Sequence, residues 1–201
     1  MIKIAIFGDS FVYGRIDPEN GGWVSRLKSY FEKLEKFNGV FNLGIPGNTS
    51  KTLLKRIKNE CEVRRTDIII IEVGTNDASY VNNKQKVSPE EFELNLQKII
   101  DIVNSFSSKI VFVGIPLVDE TKSMPLKTIE EPTFFENSKL EEYNEIIKKA
   151  CIKNKIFFID LVSKLEKDYF KYLSEGVHFN SKGHQKIFEI VEDFLNKNKI
   201  I

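Results

Sequence analysis

The sequence has few cysteines and no long apolar run. Cys61 and Cys151 stand far apart, without a CxxC spacing, which argues against a disulfide framework or a metal site and favours free, partly buried thiols in a reducing compartment. No stretch approaches the ~18 apolar residues of a membrane span, and the first residues lack the basic head and cleavage site of a signal peptide. We therefore expect a cytoplasmic protein with no membrane partner.

An excess of charge of either sign is also missing. The chain has 30 Lys and Arg residues and 29 Asp and Glu residues, for a formal net charge of +1. Such a balance gives no global field that attracts nucleic acid, so we expect no nucleic-acid partner. The chain contains only two histidines, His178 and His184, which restricts histidine chemistry to two positions.

Short runs rich in β-branched residues alternate with helical periodicities along the 201 residues. Strands buried on both faces are predicted at 2–7, 40–44, 67–73, 109–115 and 156–160. Amphipathic helices are predicted at 22–37, 50–61, 88–106, 138–154 and 181–198. This alternation indicates an α/β fold in which helices cover both faces of a parallel sheet, a three-layer α/β/α sandwich forming a single domain over 1–201.

Two of the predicted helices carry more specific signals. The helix at 88–106 opens with Ser88 as N-cap and Pro89 at its first position. In the helix at 22–37, one apolar stripe is predicted to contain Trp23, Leu27, Tyr30, Phe31 and Leu34.

One long segment, 116–136, shows no clear periodicity. It is too long for a plain connection, and we interpret it as a lid or a pocket wall. Its Met124, Phe134 and Phe135 either line an acyl pocket or fix the segment to the core, and the sequence favours neither.

Ligands of open parallel sheets bind at the carboxyl ends of the strands. The first predicted strand ends in "FGDSFVYG", which places Ser10 in a tight turn at that edge. A serine nucleophile needs a base, a group that orients the base and donors for an oxyanion, and the other strand ends are where these groups are expected.

The candidate base is His178, in "SEGVHFNSKGH" directly before the last predicted helix. Glu175 lies three residues earlier, and a tight turn at Gly176 would let its carboxylate reach the imidazole. His184 falls inside the helix start, where we expect a partly exposed residue that does not reach Ser10.

Candidate oxyanion donors come from two further strand ends. Asn76 in "GTND" offers a side-chain amide, Gly47 in "GIPGNTS" offers a backbone N–H, and Ser10 adds its own. Asn76 is alternatively a turn former. Asp9 is interpreted as a capping or hydrogen-bonding residue at the same rim.

The segments "GDSF", "GIPGNTS", "GTND" and "EGVH", in this order, resemble the four blocks of the GDSL, or SGNH, hydrolase family over nearly the whole chain. The resemblance implies a flavodoxin-like sheet of strand order 2-1-3-4-5 and a serine esterase or acylhydrolase that acts on a small-molecule ester or thioester without metal or organic cofactor. It also implies that Ser10 is the nucleophile, His178 the base, and Gly47 and Asn76 oxyanion donors.

The chain departs from the family at one position, because the last block usually reads Asp-x-x-His and here contains Glu175. Either Glu175 reaches the imidazole and completes a triad, or a backbone carbonyl holds His178 and the site works as a dyad.

Substrate contacts are predicted for Asp9, Phe11, Tyr13 and Asn48. Phe11 and Tyr13 would form a partly aromatic rim that suits a short acyl chain or a sugar ring. Two other functions remain open at this point: an O-acyltransferase with the same residues, and a non-catalytic module that binds an anion or another small ligand through backbone N–H groups.

Overall fold

The structure is a computed structural model that describes residues 1–107, 109–127 and 131–201. A 3₁₀ helix spans Tyr169–Tyr172. In chain order, the other elements are β1 (Lys3–Gly8), α1 (Ser10–Tyr13), α2 (Gly22–Leu34), β2 (Gly39–Gly44), α3 (Ser50–Leu54), α4 (Ile57–Arg64), β3 (Ile68–Ile71), α5 (Thr75–Ala78), β4 (Tyr80–Val81), β5 (Lys84–Gln85), α6 (Pro89–Asn104), β6 (Lys109–Val113), α7 (Glu120–Ser123), β7 (Thr133–Phe134), α8 (Asn137–Asn154), β8 (Phe157–Ile159), α9 (Leu161–Lys164) and α10 (Ser181–Lys197).

The central sheet is parallel and has five strands in the order β2-β1-β3-β6-β8. Ile4 of β1 pairs with Val40 of β2 on one side and Ile68 of β3 on the other. Counted along the chain, these strands are the first to fifth of the sheet, so the predicted order 2-1-3-4-5 is confirmed.

Alternate residues of each strand pack on opposite faces of this sheet, as a two-residue repeat requires. Phe7 and Ile71 contact the core beneath α3, α4, α6 and α8. Ile6 and Ile70 contact the other core, beneath α2 and α10. Both faces are therefore covered, and the predicted three layers are confirmed.

The helix signals identify most helix ends correctly. Ser88 caps α6 by accepting a hydrogen bond from the Glu91 N–H at 3.3 Å, with Pro89 in the first turn. The helix predicted at 50–61 is instead two helices, α3 and α4. Within the predicted stripe of α2, Trp23 and Leu27 are buried, whereas Leu34, the last residue of the helix, is 54% exposed.

The segment 116–136 is partly ordered into secondary structure. It contains α7 and β7, and β7 joins β4 and β5 in a small antiparallel sheet of order β5-β4-β7. Residues 128–130 of this segment lie outside the described part. The small sheet places the segment beside the carboxyl end of β3, next to α5.

Both cysteines are free and buried. Burial raises the pKa of Cys61 to about 11 and that of Cys151 to about 12, so neither thiol is a nucleophile at neutral pH.

Candidate active site

Ser10 begins α1 immediately after β1. The turn requires glycine at position 8, because a Cβ there would come within 2.4 Å of the Val12 side chain and 2.6 Å of the Glu72 carbonyl oxygen. Asp9 caps α1, since its Oδ1 accepts the Phe11 N–H at 2.8 Å. The chain reversal places the Ser10 hydroxyl at the carboxyl edge of the sheet.

His178 reaches this hydroxyl from a loop between the 3₁₀ helix and α10. Its Nε2 lies 2.8 Å from Oγ of Ser10. The loop is closed on itself, because the Ser174 N–H donates to the His178 carbonyl at 2.9 Å and Leu173 forms an antiparallel bridge with Phe179. The imidazole is therefore presented by a fixed turn.

Glu175 contacts the other side of the same imidazole, through a hydrogen bond between its Oε1 and Nδ1 of His178. Gly176 lies between them with φ +99°, a left-handed conformation that folds the three-residue spacing back on itself. Burial alone would raise the pKa of Glu175, but the hydrogen bond and the charge of His178 outweigh it and lower that pKa. Glu175 is thus an ionised partner of the imidazole.

Three potential oxyanion donors surround Ser10. The backbone N–H groups of Ser10 and Gly47 donate to no other described residue, and Gly47, Asn76 and Ser10 line one cavity. Gly47 has φ +78° and open space where a Cβ would stand. These groups can converge on a substrate oxygen next to the serine.

Asn76 is held by Asp9. Its side-chain amide donates to Oδ2 of Asp9 at 2.7 Å, which uses one amide hydrogen and leaves the second for a ligand. Asp9 is 1% exposed, and its two carboxylate oxygens thereby link the turn of Ser10 to α5.

The cavity above Ser10 has a volume of about 300 Å³, at the lower end of small-molecule sites. The residues that contribute apolar side chains to its wall are Phe11, Pro46, Pro116, Val118, Leu126, Phe135, Val177 and Phe179. Four of these belong to the segment 116–136, which is therefore a pocket wall over its described part. Phe135 lines the cavity, whereas Met124 and Phe134 do not.

The pocket wall is also tied to the histidine loop. The Asp119 N–H donates to the Gly176 carbonyl at 2.8 Å. A Cβ at Gly176 would come within 2.7 Å of Lys122 Cβ, so the two segments are in close contact there.

Two of the four predicted substrate-binding residues do not line the cavity. Asp9 and Phe11 do, but Tyr13 is 55% exposed and lies outside the lining, because α1 turns its side chain to solvent. Asn48 is buried, and its Oδ1 accepts the Thr52 hydroxyl at 2.8 Å. It stabilises the start of α3 instead.

His184 differs from the expectation of a partly exposed residue. It is 1% exposed and lines the cavity, because the first turn of α10 packs inward against Phe11 and Phe179. Burial lowers its pKa, and its Nε2 lies 3.1 Å from the Arg15 carbonyl oxygen. The structure places it away from the Ser10 hydroxyl, as expected.

Sequence reasoning missed three charged residues around the site. Glu72 directly follows β3 and is completely buried, while Arg15 and Lys86 line the cavity. The available signal for Glu72 was an acid directly after the four isoleucines of "DIIIIEV". No sequence pattern distinguishes Arg15 or Lys86 from surface cations.

The described ranges of the chain contain neither a cluster of metal-ligating side chains nor a membrane-spanning helix. Within residues 1–107, 109–127 and 131–201, no group of three His, Cys, Asp or Glu side chains is arranged to hold a metal ion. The helices of the same ranges are all too short or too polar to cross a bilayer.

Comparison with known proteins identifies the family. Residues 6–186 match the model of the GDSL-like lipase/acylhydrolase family. The chain belongs to this family, and it is a hydrolase that acts on ester bonds. The resemblance seen in the four sequence blocks is thereby confirmed.

Named relatives extend over nearly the whole chain. The isoamyl acetate-hydrolyzing esterase of Saccharomyces cerevisiae is 25% identical over 212 residues, covering 96% of this chain and 87% of its own. The human isoamyl acetate-hydrolyzing esterase 1 homolog is 23% identical, covering 97% and 82%.

Solved structures share the fold. A lipase/acylhydrolase from Enterococcus faecalis superposes with a TM-score of 0.81 at 22% identity, covering 98% of this chain and 97% of its own. Axe2, an acetylxylan esterase from Geobacillus stearothermophilus, superposes with a TM-score of 0.72 at 20% identity, covering 97% and 93%.

Proposed function

We propose that the chain hydrolyses small esters of short-chain acids through an acyl-enzyme on Ser10. The observation that carries this proposal is the continuous hydrogen-bonded chain from Oγ of Ser10 through the ring of His178 to the carboxylate of Glu175. Ser10, His178 and Glu175 each have one role in the reaction, and that role follows from whether the group donates or accepts a hydrogen bond.

Glu175 selects the tautomer of the base. An ionised carboxylate only accepts hydrogen bonds, so Nδ1 of His178 carries the proton and Nε2 has a free lone pair towards Ser10. His178 takes the hydroxyl proton through Nε2 as Oγ attacks the ester carbonyl. The resulting imidazolium is stabilised by the adjacent carboxylate.

The oxyanion of the tetrahedral intermediate accepts hydrogen bonds from Ser10 N–H, Gly47 N–H and the second amide hydrogen of Asn76. When the intermediate collapses, the alcohol leaves with the proton held on Nε2, and the acyl group stays on Oγ. Water then attacks the acyl-enzyme, gives its proton to Nε2, and the acid leaves as Oγ regains its proton.

The cavity supports a short acyl group and a small alcohol. About 300 Å³ with a largely apolar wall accommodates a few carbon atoms on each side of the ester. The relatives' names agree with this size, since both the isoamyl acetate esterase and the acetylxylan esterase are named for acetyl esters.

Variants of a structural neighbour support the same roles. Catalytic mutants of Axe2 replace a serine, a histidine and an aspartate, the last two being three residues apart in its sequence. Glu175 and His178 have the same spacing, which supports a carboxylate role for Glu175 over the dyad in which a backbone carbonyl holds the imidazole.

Labelling with a fluorophosphonate tests the nucleophile. The folded protein is expected to gain one adduct by intact mass, located on Ser10 by peptide mapping. Ser10→Ala should abolish the adduct, whereas Ser163→Ala, at an exposed serine in α9, should leave it unchanged. A folded protein without an adduct on Ser10 would refute the acyl-enzyme.

Product analysis tests the fate of the acyl group. With a short ester and an added alcohol or sugar acceptor, we expect free acid as the main product. Predominant transfer to the acceptor would instead support the acyltransferase.

A further inference from the structure

Two carboxyl groups are buried side by side behind the proposed oxyanion hole. Asp9 is 1% exposed and Glu72 is 0% exposed. Glu72 is fixed there by its backbone, since its N–H donates to the Phe7 carbonyl at 2.9 Å. The mechanism above gives Glu72 no role, although burying an ionised carboxylate costs several kcal/mol without partners.

The donors around the two groups are unequally divided. Asp9 accepts the Phe11 N–H at 2.8 Å and the Asn76 amide at 2.7 Å. Neither carboxyl oxygen of Glu72 has a hydrogen-bond partner among the residues that the structure describes. A carboxylate facing a carboxylate makes no hydrogen bond, but a protonated carboxyl donates one. Because both oxygens of Asp9 already accept hydrogen bonds and those of Glu72 accept none within the described ranges, a proton on Glu72 is the arrangement that the contacts favour.

We propose that Glu72 keeps its proton at neutral pH and donates it to Asp9, and that this carboxyl pair positions the Asn76 amide in the oxyanion hole. Glu72 is thus a positioning residue, acting through Asp9. The part of the proposal that concerns the position of Asn76 rests on the proposed function, whereas the part that concerns the proton on Glu72 does not.

The electrostatics of the cluster agree with this arrangement. Burial is the largest cause that raises the pKa of Glu72 well above its ordinary value, and the charges of Asp9 and Asp77 raise it further. Burial also raises the pKa of Asp9, and the hydrogen bonds to Asp9 and the charge of His178 reduce this rise without cancelling it. Lys86 is the cation whose charge acts on Asp9 and Asp77 from the cavity side.

Loss of the proton would place two like charges together in a low-dielectric site. Repulsion would then displace Asp9, and with it Asn76. Activity is therefore expected to fall on the alkaline side as Glu72 ionises, through kcat and not KM, because Asn76 contacts the reacting oxygen only after attack.

Infrared spectroscopy tests the proton without any substrate. At pH 8, the folded protein is expected to show a carboxylic-acid carbonyl band that Glu72→Gln removes and Asp9→Asn retains. Absence of the band, or its loss in Asp9→Asn alone, would overturn the shared proton on Glu72. Because this arm needs no turnover, it stands even for a protein that hydrolyses no ester, a result that would refute the proposed function.

Matched variants test the positioning. Glu72→Met keeps the volume but removes the donor, and kcat for a short p-nitrophenyl ester should fall at least 10-fold with KM within twofold. Glu72→Gln, which can still donate, should rescue most of kcat and lose the alkaline fall that Glu72 causes. Asp101→Asn, at an exposed position of α6, is the control. Unchanged kcat in folded Glu72→Met, or an alkaline fall that persists in Glu72→Gln, would refute the role.

Discussion

Oγ of Ser10 lies 2.8 Å from Nε2 of His178 across 168 positions of sequence. The contact depends on two separate turns, one closed by the Asp9 cap and one by the Leu173–Phe179 bridge. Because each turn is fixed by its own hydrogen bonds, the two groups meet in a preorganised geometry, and single substitutions around them have separable effects.

Glu175→Gln should lower kcat by roughly 10²- to 10⁴-fold while the protein stays folded. The amide has nearly the same size but no charge, so it neither fixes the reactive tautomer nor stabilises the imidazolium. Steady-state hydrolysis of a p-nitrophenyl ester measures the effect, with Glu166→Gln, at an exposed glutamate, as the control. An unchanged kcat would show that His178 works as a dyad with Ser10.

Asn76→Ala should lower kcat by about 10²- to 10³-fold with little change in KM, the cost of one oxyanion donor. The exposed Asn104 at the end of α6 offers a matched control, since Asn104→Ala should leave both constants unchanged. If Asn76→Ala raised KM and spared kcat, the amide would be a substrate contact and not an oxyanion donor.

Gly47→Ala should reduce both stability and kcat. Its Cβ meets no atom within 4 Å, so the cost comes from the positive φ and amounts to about 1 kcal/mol. Relaxation of that strain would also turn the proposed oxyanion N–H away. Gly39 is the control, because it too has open space but no positive φ. Urea unfolding and ester hydrolysis should show a lower free energy of unfolding and a lower kcat for Gly47→Ala than for Gly39→Ala. Equal values for the two variants would contradict the role of the backbone conformation at Gly47.

Leu126→Ala should shift the acyl preference towards longer chains. Leu126 is 3% exposed and contributes to the cavity wall, so its truncation opens room for several carbon atoms. We expect the ratio of kcat/KM for p-nitrophenyl hexanoate to that for the acetate to rise about 5- to 10-fold, the discrimination that one or two methylenes provide. Leu94→Ala, at a leucine that is 63% exposed, should leave the ratio unchanged.

Asp77 makes stability dependent on pH. Burial raises its pKa to about 7, although Ser50 donates to it through N–H and hydroxyl. The folded state therefore holds a proton that the unfolded state releases near pH 4, so this contribution to stability is full at acidic pH and is lost as pH rises to about 7. The loss corresponds to roughly 4 kcal/mol.

Urea unfolding at pH 5 and pH 8 measures this contribution. The free energy of unfolding of Asp77→Asn minus that of wild type should be larger at pH 8 than at pH 5. The same difference for Asp101→Asn should not change with pH. A constant difference between Asp77→Asn and wild type across this range would contradict the raised pKa.

The sequence was sufficient for the fold and for much of the site. Runs of β-branched residues determine the strands, and parallel topology brings their ends together, which is why Ser10, His178 and Asn76 could be assigned to one edge. On the four-residue helix α1, periodicity does not define which way a side chain faces, and Tyr13 was misplaced for that reason. His184 was misplaced because the burial of the first turn of α10 depends on tertiary contacts with Phe11 and Phe179, which are remote from it in the sequence or lie outside the helix.

Glu72 was missed for a different reason. An acid at the end of an apolar strand is compatible with solvent exposure, and only the folded structure shows that Glu72 is completely buried. Its significance depends on Asp9, 63 positions away in the sequence, so no local pattern reveals it.

The hydrogen bond from the Asp119 N–H to the Gly176 carbonyl joins the pocket wall to the turn that carries His178, the proposed base. A change of backbone conformation at Asp119 is therefore expected to affect both the acyl preference and the turnover rate. Variants selected for a different acyl group by changes near Asp119 should also change their turnover on the original ester, whereas changes at Leu126, farther along the wall, should alter preference with less effect on rate. Substitutions near Leu126 are then expected to precede substitutions near Asp119 when the acyl preference of the enzyme changes.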